Sequence, residues 1–434
     1  MFALVDANNF YVSCISVFRP SLRGHAVVCA SNNDGCAIAR SNEAKALGIK
    51  MGQPLFEIRQ LFPNDGVIYL STNFTLVGDM SNRMMSIAAG LGPTQEIYSV
   101  DESFVGMHGV RGDLVKRGRD VRARILQWVG LPCGIGFGTT KTLAKLANHV
   151  AKQAERKPGS YPSEFGQVCN LAALPASDFD AVLTATALQD IWGVGPRIGA
   201  QLRAEGLVSA LDVARMDPAT VHRRWSVVLE RTVRELQGQS CISLEDVPVA
   251  KKQIVCSNSF GCPVTKLQEL IEATSSYAAR ASLKLRHQNS HAGQVTVFIH
   301  TSPFRTQDRQ YSNSITVPLR SPTSDIAAIT AAAVCGAKAI YRPGYNYAKA
   351  GVMLLDLQTS NVVQGELDLD AGLSERNDLM IAMDSLNSKY GRNTVSLASS
   401  GVGHQSGSRA WAMRQEMLTP KYTTRWDDIP IALA

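Results

Sequence analysis

The stretch Glu96-Ile97-Tyr98-Ser99-Val100-Asp101-Glu102-Ser103-Phe104 constrains this chain more than any other. Ile97, Tyr98, Val100 and Phe104 are strand formers, yet two carboxylates stand side by side among them. Adjacent anions in an apolar setting repel each other and resist desolvation, so such a pair is kept ionised by a cation or a basic partner. Oxygen-only ligation suits Mg²⁺ or Mn²⁺, and Mg²⁺ completes its shell with water and substrate phosphates. The other reading is a solvated Asp-Glu at a hairpin tip.

A second acid bears on that choice. The chain opens Phe2-Ala3-Leu4-Val5, an apolar run that ends at Asp6 and leads into Ala7, Asn8, Asn9, Phe10 and Tyr11. An acid at the end of a buried strand is where a sheet presents a functional group to a cleft. If the strands ending at Asp6 and Asp101 lie side by side, three carboxylates meet at one point. That arrangement suits two-metal phosphoryl transfer, in which one ion activates the attacking oxygen and the other steadies the leaving group.

The 434 residues are 45% hydrophobic, enough for two to four domains with cores of their own. No apolar run approaches the length of a membrane span. The first strand reaches Asp6 too soon for a basic-then-apolar leader, and the nine cysteines form no Cys-x-x-Cys pairs. The expectation is a cytoplasmic protein with buried thiols. The net charge of +7 does not argue for nucleic acid by itself. Its distribution does: between Arg111 and Lys157 bases far outnumber acids, which suits a phosphate polymer.

Along the chain, Ala26–Ala30 reads as a short strand and Ala37–Leu47 as a helix ending at Gly48. Arg40 and Lys45 on that helix read either as phosphate ligands or as an ordinary solvated face. Cys133–Phe137 reads as a strand interleaved with glycines, followed by a helix over Lys141–Lys152. Leu143, Leu146, Ala147 and Val150 share one face of that helix, and Lys141, Lys145 and Lys152 form a phosphate-binding rail on the other. A P-loop is excluded by spacing, because it needs glycine immediately before its lysine and Lys141 follows Thr140. His149 reads as a helix-surface residue.

After a Gly-, Pro- and Ser-rich boundary, Ile191-Trp192-Gly193-Val194-Gly195-Pro196-Arg197 matches a helix-hairpin-helix. Its glycines let backbone N–H groups approach a DNA phosphate without sequence preference, although a plain αα-turn shares the pattern. From about Asp246, strands and amphipathic helices alternate in the order β-α-β-β-α-β. That order gives a sheet with both helices on one face. The tail beyond Asp356 carries Trp411, Tyr422 and Trp426, which read as partner-docking aromatics or as a small satellite core.

These residues resemble the Y-family translesion DNA polymerases, in their bacterial UmuC-type branch, over essentially the whole chain. The resemblance rests on Phe2–Asp6, on Tyr98-Ser99-Val100-Asp101-Glu102, on the lysine helix, on Gly193-Val194-Gly195 and on Tyr422-Thr423-Thr424-Arg425-Trp426. It implies an α/β multidomain (α+β) right-hand polymerase. The palm would take residues 1–25 and 76–165, the fingers 26–75, a helical thumb 166–240, a βαββαβ little finger 245–356, and a partner-binding region 357–434.

By the same match Asp6, Asp101 and Glu102, with the backbone carbonyl of Ala7, would hold two Mg²⁺ ions. Tyr11 stands where the family keeps its steric gate against a ribose 2′-OH, or else simply packs beside Phe10. Lys152 matches the triphosphate-binding lysine and Lys45 stands where many relatives have arginine. Gly193, Gly195 and Arg197 would contact DNA. The implied partners are primer-template DNA, deoxynucleoside triphosphates, a dimer of a processed accessory subunit and a RecA filament.

Two departures are visible. Asn42-Glu43-Ala44-Lys45 replaces the Tyr-Glu-Ala-Arg of many relatives, and lysine offers no bidentate fork. At Gln364-Gly365-Glu366-Leu367-Asp368 the apolar anchors of a Gln-Leu-x-Leu-Phe clamp peptide are displaced, which leaves sliding-clamp binding open. The implied function is error-prone synthesis past damaged bases in SOS mutagenesis. A two-metal nuclease would use the same acids but gain nothing from a gate or a triphosphate lysine, and a non-catalytic helix-hairpin-helix DNA-binding protein would not need the acids.

Overall fold

The computed structural model describes residues 1–245, 250–359, 376–401, 409 and 411–431. The start of the third unit near Asp246 and the peptide Gln364–Asp368 lie outside them. The chain forms two compact units: Met1–Ser31, Cys36–Pro248 and Met417–Ala434 make the first, and Asn32–Gly35 with Val249–Glu416 the second.

The first unit runs β1 (Phe2–Ala7), α1 (Phe10–Phe18), β2 (Val27–Ala30), β3 (Ala37–Arg40), α2 (Asn42–Ala46), α3 (Leu55–Leu61), β4 (Ile68–Ser71), α4 (Phe74–Ala88), β5 (Thr94–Ile97), β6 (Glu102–Gly106), α5 (Leu114–Val129), β7 (Cys133–Gly138), α6 (Lys141–Arg156) and β8 (Val168–Asn170). Five short helices follow: α7 (Ala176–Ala185), α8 (Pro196–Ala204), α9 (Ala210–Ala214), α10 (Pro218–Arg224) and α11 (Val227–Leu236).

Its main sheet has the order β5-β6-β1-β7-β8. Alternation along β1 decides what each face does. Ala3, Val5 and Ala7 join a core with α1, α4 and α5. Leu4 packs with Phe104 and Ala144 on the opposite face, toward α6. The glycines of β7 alternate in the same way. A Cβ on Gly136 would lie 2.1 Å from the Asn148 nitrogen, and one on Gly138 2.4 Å from the Ala144 nitrogen. The backbone of α6 therefore lies directly on the strand, and this close approach is the physical use of the glycine-rich run.

The smaller sheet, β3-β2-β4, covers a core with α2 and α3. Here the structure corrects the helix expected over Ala37–Leu47. Residues 37–40 form strand β3, paired with β2 from Val28 to Ala30, and Ser41 caps α2 by accepting a bond from the Ala44 N–H at 3.1 Å. A short alanine-rich run fits either period, and pairing with β2 decides it. The 96–104 stretch is likewise a hairpin, with Tyr98–Asp101 as its turn. Ser99 Oγ takes the N–H groups of Asp101 and Glu102 at 3.3 and 3.2 Å.

The second unit runs β9 (Ile254–Val264), α12 (Leu267–His287), β10 (Ser290–Thr301), β11 (Ser312–Thr323), α13 (Ile326–Ile340) and β12 (Tyr347–Thr359), followed by α14 (Asn377–Tyr390). The expected β-α-β-β-α-β order is present, as an antiparallel sheet β11-β10-β12-β9 whose core takes in both α12 and α13. Arg286 on α12 holds α14 through a two-pronged bond to Asp384, both arms at 2.7 Å.

The tail aromatics divide three ways. Trp411 is buried edge-on to Tyr277 in the second unit, and Tyr422 stacks on Phe18 at 4.9 Å in the first. Trp426 is 89% exposed. Segment 417–420 pairs with the end of β4: Ser71 N–H donates to the Met417 carbonyl at 2.9 Å, and Asn73 Nδ2 to that of Pro420 at 3.0 Å.

Lys141, expected on the open face of α6, is instead buried. Its ammonium lies 2.6 Å from Glu96 Oε2 and 3.1 Å from the Ser243 carbonyl, over the face of Phe104. Glu96 also accepts the Glu245 N–H at 2.8 Å, so the pair ties β5, α6 and the irregular segment leaving α11 together.

Two stability outcomes are expected. Lys141→Ala, by stranding a buried carboxylate, lowers unfolding free energy by about 3–5 kcal/mol in denaturant titration, whereas joint Glu96→Leu and Lys141→Met substitution recovers most of it. Gly136→Val, by forcing α6 off the strand, lowers the thermal midpoint by several degrees, equivalent to about 1–3 kcal/mol or more.

Candidate active site

Pairing brings the acids together. In the β1–β6 register Asp6 stands opposite Glu102, and the Ala7 N–H donates to the Asp101 backbone carbonyl at 2.9 Å. Asp6 shares the face of Leu4 and Glu102 that of Phe104, so both carboxylates point toward α6. Asp101 closes the hairpin turn, with Ser99 Oγ donating to its Oδ1 at 2.5 Å.

Burial raises the pKa of Asp6 and of Glu102, and two lysines of α6 oppose that shift. Lys145 Nζ sits 2.8 and 2.9 Å from the two oxygens of Glu102. Lys152 Nζ lies 2.6 Å from Asp6 Oδ1 and 3.4 Å from the Ala7 carbonyl oxygen. A cation is thus held jointly by the Asp6 carboxylate and the Ala7 carbonyl. These all-oxygen donors fit a hard divalent ion. Among the described residues, no group of three or more His, Cys, Asp or Glu side chains is already gathered as a metal cage. The carboxylates face one region without converging on a point.

Lys145 also lies 4.8 Å from the ring centre of Tyr98 and 5.3 Å from that of Trp192, and these two rings meet edge-on. The aromatic faces steady the ammonium. Tyr11 is half-buried, edge-on to Phe10, with ring centres 6.0 Å apart. Desolvation raises its phenol pKa further, so the ring is neutral at physiological pH.

Lys45 stands on α2, where its Nζ donates to Asn9 Oδ1. Partial desolvation, reinforced by Arg156, Arg40 and Lys152, pushes its pKa down to about 8.

The hairpin Gly193–Gly195 reaches the same region. Asp6, Lys145, Lys152, Trp192, Gly193 and Gly195 line one cleft of about 570 Å³. Gly193 has φ 91° and a Cβ there would sit 3.0 Å from Thr232 Oγ1, so its glycine is demanded by the fold. Gly195 is the N-cap of α8, and nothing lies within 4 Å of a Cβ built on it. Its missing side chain leaves room outside the protein. Arg197 is exposed in the first turn of α8. His149, read as a surface residue, lines the cleft instead: burial lowers its pKa, and its ring nitrogen stands 4.0 Å from Asp190.

Sequence reasoning missed three things. Lys145 is a direct partner of Glu102, and only its shared helix face with Lys152 signalled it. Glu96 gave no sign of a buried ion pair. Asn9 and Asn42, 33 residues apart, carried no local pattern that would join them.

Residues 5–149 match the impB/mucB/samB family and residues 251–367 its C-terminal domain, while residues 377–432 match a domain of unknown function. The chain is 44% identical over 432 residues to Protein UmuC of Salmonella typhimurium, covering 99% of both chains. It is 42% identical to Protein ImpB of the same organism over 100% of this chain and 99% of the relative. DNA polymerase IV of Halorhodospira halophila is 27% identical over 85% of this chain and 98% of its own. Among solved structures, a Y-family DNA polymerase chimera of Dbh and Dpo4 superposes with a TM-score of 0.63 at 18% identity, covering 83% of this chain and all of the other. DinB from Sulfolobus solfataricus superposes with a TM-score of 0.51, at 18% identity and over 82% and 98% of the two chains. From its acid-bearing strand pair to its full-length likeness to UmuC, this chain belongs to the impB/mucB/samB family, the UmuC group of Y-family DNA polymerases.

Proposed function

We propose that this translesion DNA polymerase extends primers past damaged template bases at a site built from Asp6, Asp101 and Glu102. The observation that carries the reading is the pairing of Asp6 with Glu102 beside Asp101, beneath the lysines of α6. Asp6, Asp101, Glu102 and the Ala7 carbonyl would hold two Mg²⁺ ions, which when bound supply positive charge at the primer 3′-oxygen and at the leaving pyrophosphate.

The protein's own groups do the rest. Lys152 and Lys45 bind and orient the triphosphate as point charges. Tyr11 presents a neutral ring where a ribose 2′-OH would clash, and so favours deoxynucleotides. Gly193 and Gly195 bring backbone near a DNA phosphate, and Arg197 adds charge, giving grip without sequence preference.

Docking to an accessory dimer and a RecA filament is supported by the likeness to UmuC and by exposed apolar side chains. Leu379, Ile381 and Tyr390 stand out on α14 in the second unit, and Trp426 in the first. Sliding-clamp binding at Gln364–Asp368 rests on resemblance alone. No helix among the described residues is long and apolar enough to cross a membrane. The cytoplasmic assignment rests instead on the chain's likeness to UmuC and its work on DNA.

The deciding experiment is primer extension over an abasic site with Mg²⁺, all four deoxynucleotides, accessory dimer and RecA filament. The parent chain extends past the lesion and Asp101→Ala does not, while both bind DNA. Extension by the variant equal to the parent would remove Asp101 from the chemistry.

A second expectation concerns pH. Lys45 contributes to triphosphate binding only as the ammonium, so its contribution is complete below its depressed pKa and is lost as pH rises through about 8. Nucleotide affinity, measured by equilibrium titration, should fall above that pH by up to about tenfold per unit. Lys45→Arg, charged throughout, should show no such fall.

A further inference from the structure

Asn9 begins α1 in a left-handed backbone conformation, φ 50° and ψ 41°. Asparagine tolerates that region, and at a helix start it ordinarily turns its side-chain oxygen onto a backbone N–H of the first turn. Here it makes no such bond. The amide reaches instead across to α2. Its Nδ2 donates to Asn42 Oδ1 at 2.9 Å, and its Oδ1 accepts from Lys45 Nζ.

The orientation of that amide is forced from both ends. An asparagine side chain has one accepting and one donating end, and Asn42 presents an oxygen that only the donating end can meet. The carbonyl is therefore left for the ammonium. A half-turn of the Asn9 amide would set oxygen against oxygen and NH₂ against ammonium, two repulsive contacts. The grip is also uncharged. A carboxylate at position 9 would neutralise Lys45, whereas a carbonyl dipole orients it and leaves its full charge for an anion.

Asn9 is also close to the chemistry along the chain. Ala7, two residues earlier, is bonded to the Asp101 backbone, and the Asn8 N–H donates to the Pro132 carbonyl at 2.7 Å. The loop bearing Asn9 is thus fixed to the catalytic hairpin on one side and to α2 on the other.

We propose that Asn9, with its amide fixed by Asn42, is the positioning residue for Lys45 and so sets the affinity for the incoming nucleotide. This rests on the reading of Lys45 as a triphosphate ligand. Asn9 aims the ammonium without touching the reacting atoms, and Asn42 acts through Asn9.

The test uses the full chain on an undamaged primer-template, with accessory dimer and RecA filament, and reads KM for deoxynucleotide, kcat and thermal midpoint. Asn9→Gly keeps the left-handed backbone accessible and removes the amide. Asn42→Leu removes the oxygen that fixes the amide, and Asn42→Asp keeps it. Asn9→Gly and Asn42→Leu should each raise KM about three- to tenfold, the worth of one hydrogen bond, with kcat changed less than about twofold. Asn42→Asp should stay near the parent. Asn9→Gly combined with Lys45→Ala should be no weaker than Lys45→Ala alone.

Additive losses in the double variant, or a fall in kcat at unchanged KM, would overturn the positioning role. If Lys45→Ala itself leaves KM unchanged, the triphosphate reading of Lys45 fails and the positioning role with it. A purely structural effect would lower the thermal midpoint without producing the KM–kcat split.

Discussion

The backbone of α6 rests on the backbone of β7, and the charges of the site take their places from that contact. Gly134, Gly136 and Gly138 all face the helix, and at two of them a Cβ would overlap its main chain. With the helix that close, Lys141, Lys145 and Lys152 reach Glu96, Glu102 and Asp6 respectively. The three lysines fall within about 40° of one another around the helix, at 100° per residue. The same helix turns Leu146, Ala147 and Val150 into the core shared with α7, α8, α9 and α11. One rigid element therefore faces the acids with one side and the core of the small helices with the other.

The electrostatics follow from this packing. Burial favours the neutral acid at Asp6 and Glu102, and the neighbouring ammonium groups of α6 oppose that shift. The sheet supplies the carboxylates and α6 the cations, in a near one-to-one arrangement. The Glu96–Lys141 pair is set deepest and serves cohesion. The outer two open onto the cleft, where charge can be exchanged with a ligand. Lys45 is handled differently, by a neutral amide.

Much of this was legible in the sequence, for identifiable reasons. The acids at Asp6, Asp101 and Glu102 were visible because an anion interrupting an apolar strand is conspicuous, and the second unit because its strands and helices have unmistakably different periods. Other features were hidden. Ala37–Arg40 satisfied either period, and only pairing with β2 made it a strand. The glycines of β7 announced a close approach without saying that the visitor was a helix backbone and not a phosphate. Lys141 looked like its two neighbours, and its burial depends on Glu96 and on Ser243, 102 residues away. Asn9 and Asn42 are commonplace polar residues until the fold joins them.

One feature of connectivity shapes how the molecule can come apart. Apart from Asn32–Gly35, which also belongs to the second unit, the chain leaves the first unit after Pro248, builds the second as Val249–Glu416, and returns at Met417 to lie beside β4 and set Tyr422 on Phe18. The second unit is thus inserted into the first and leashed at both ends. A cut at that outgoing crossing would not free it, because the chain still joins the two units between Glu416 and Met417. An insert such as Val249–Glu416 stays covalently joined to its host until both of its crossings are severed.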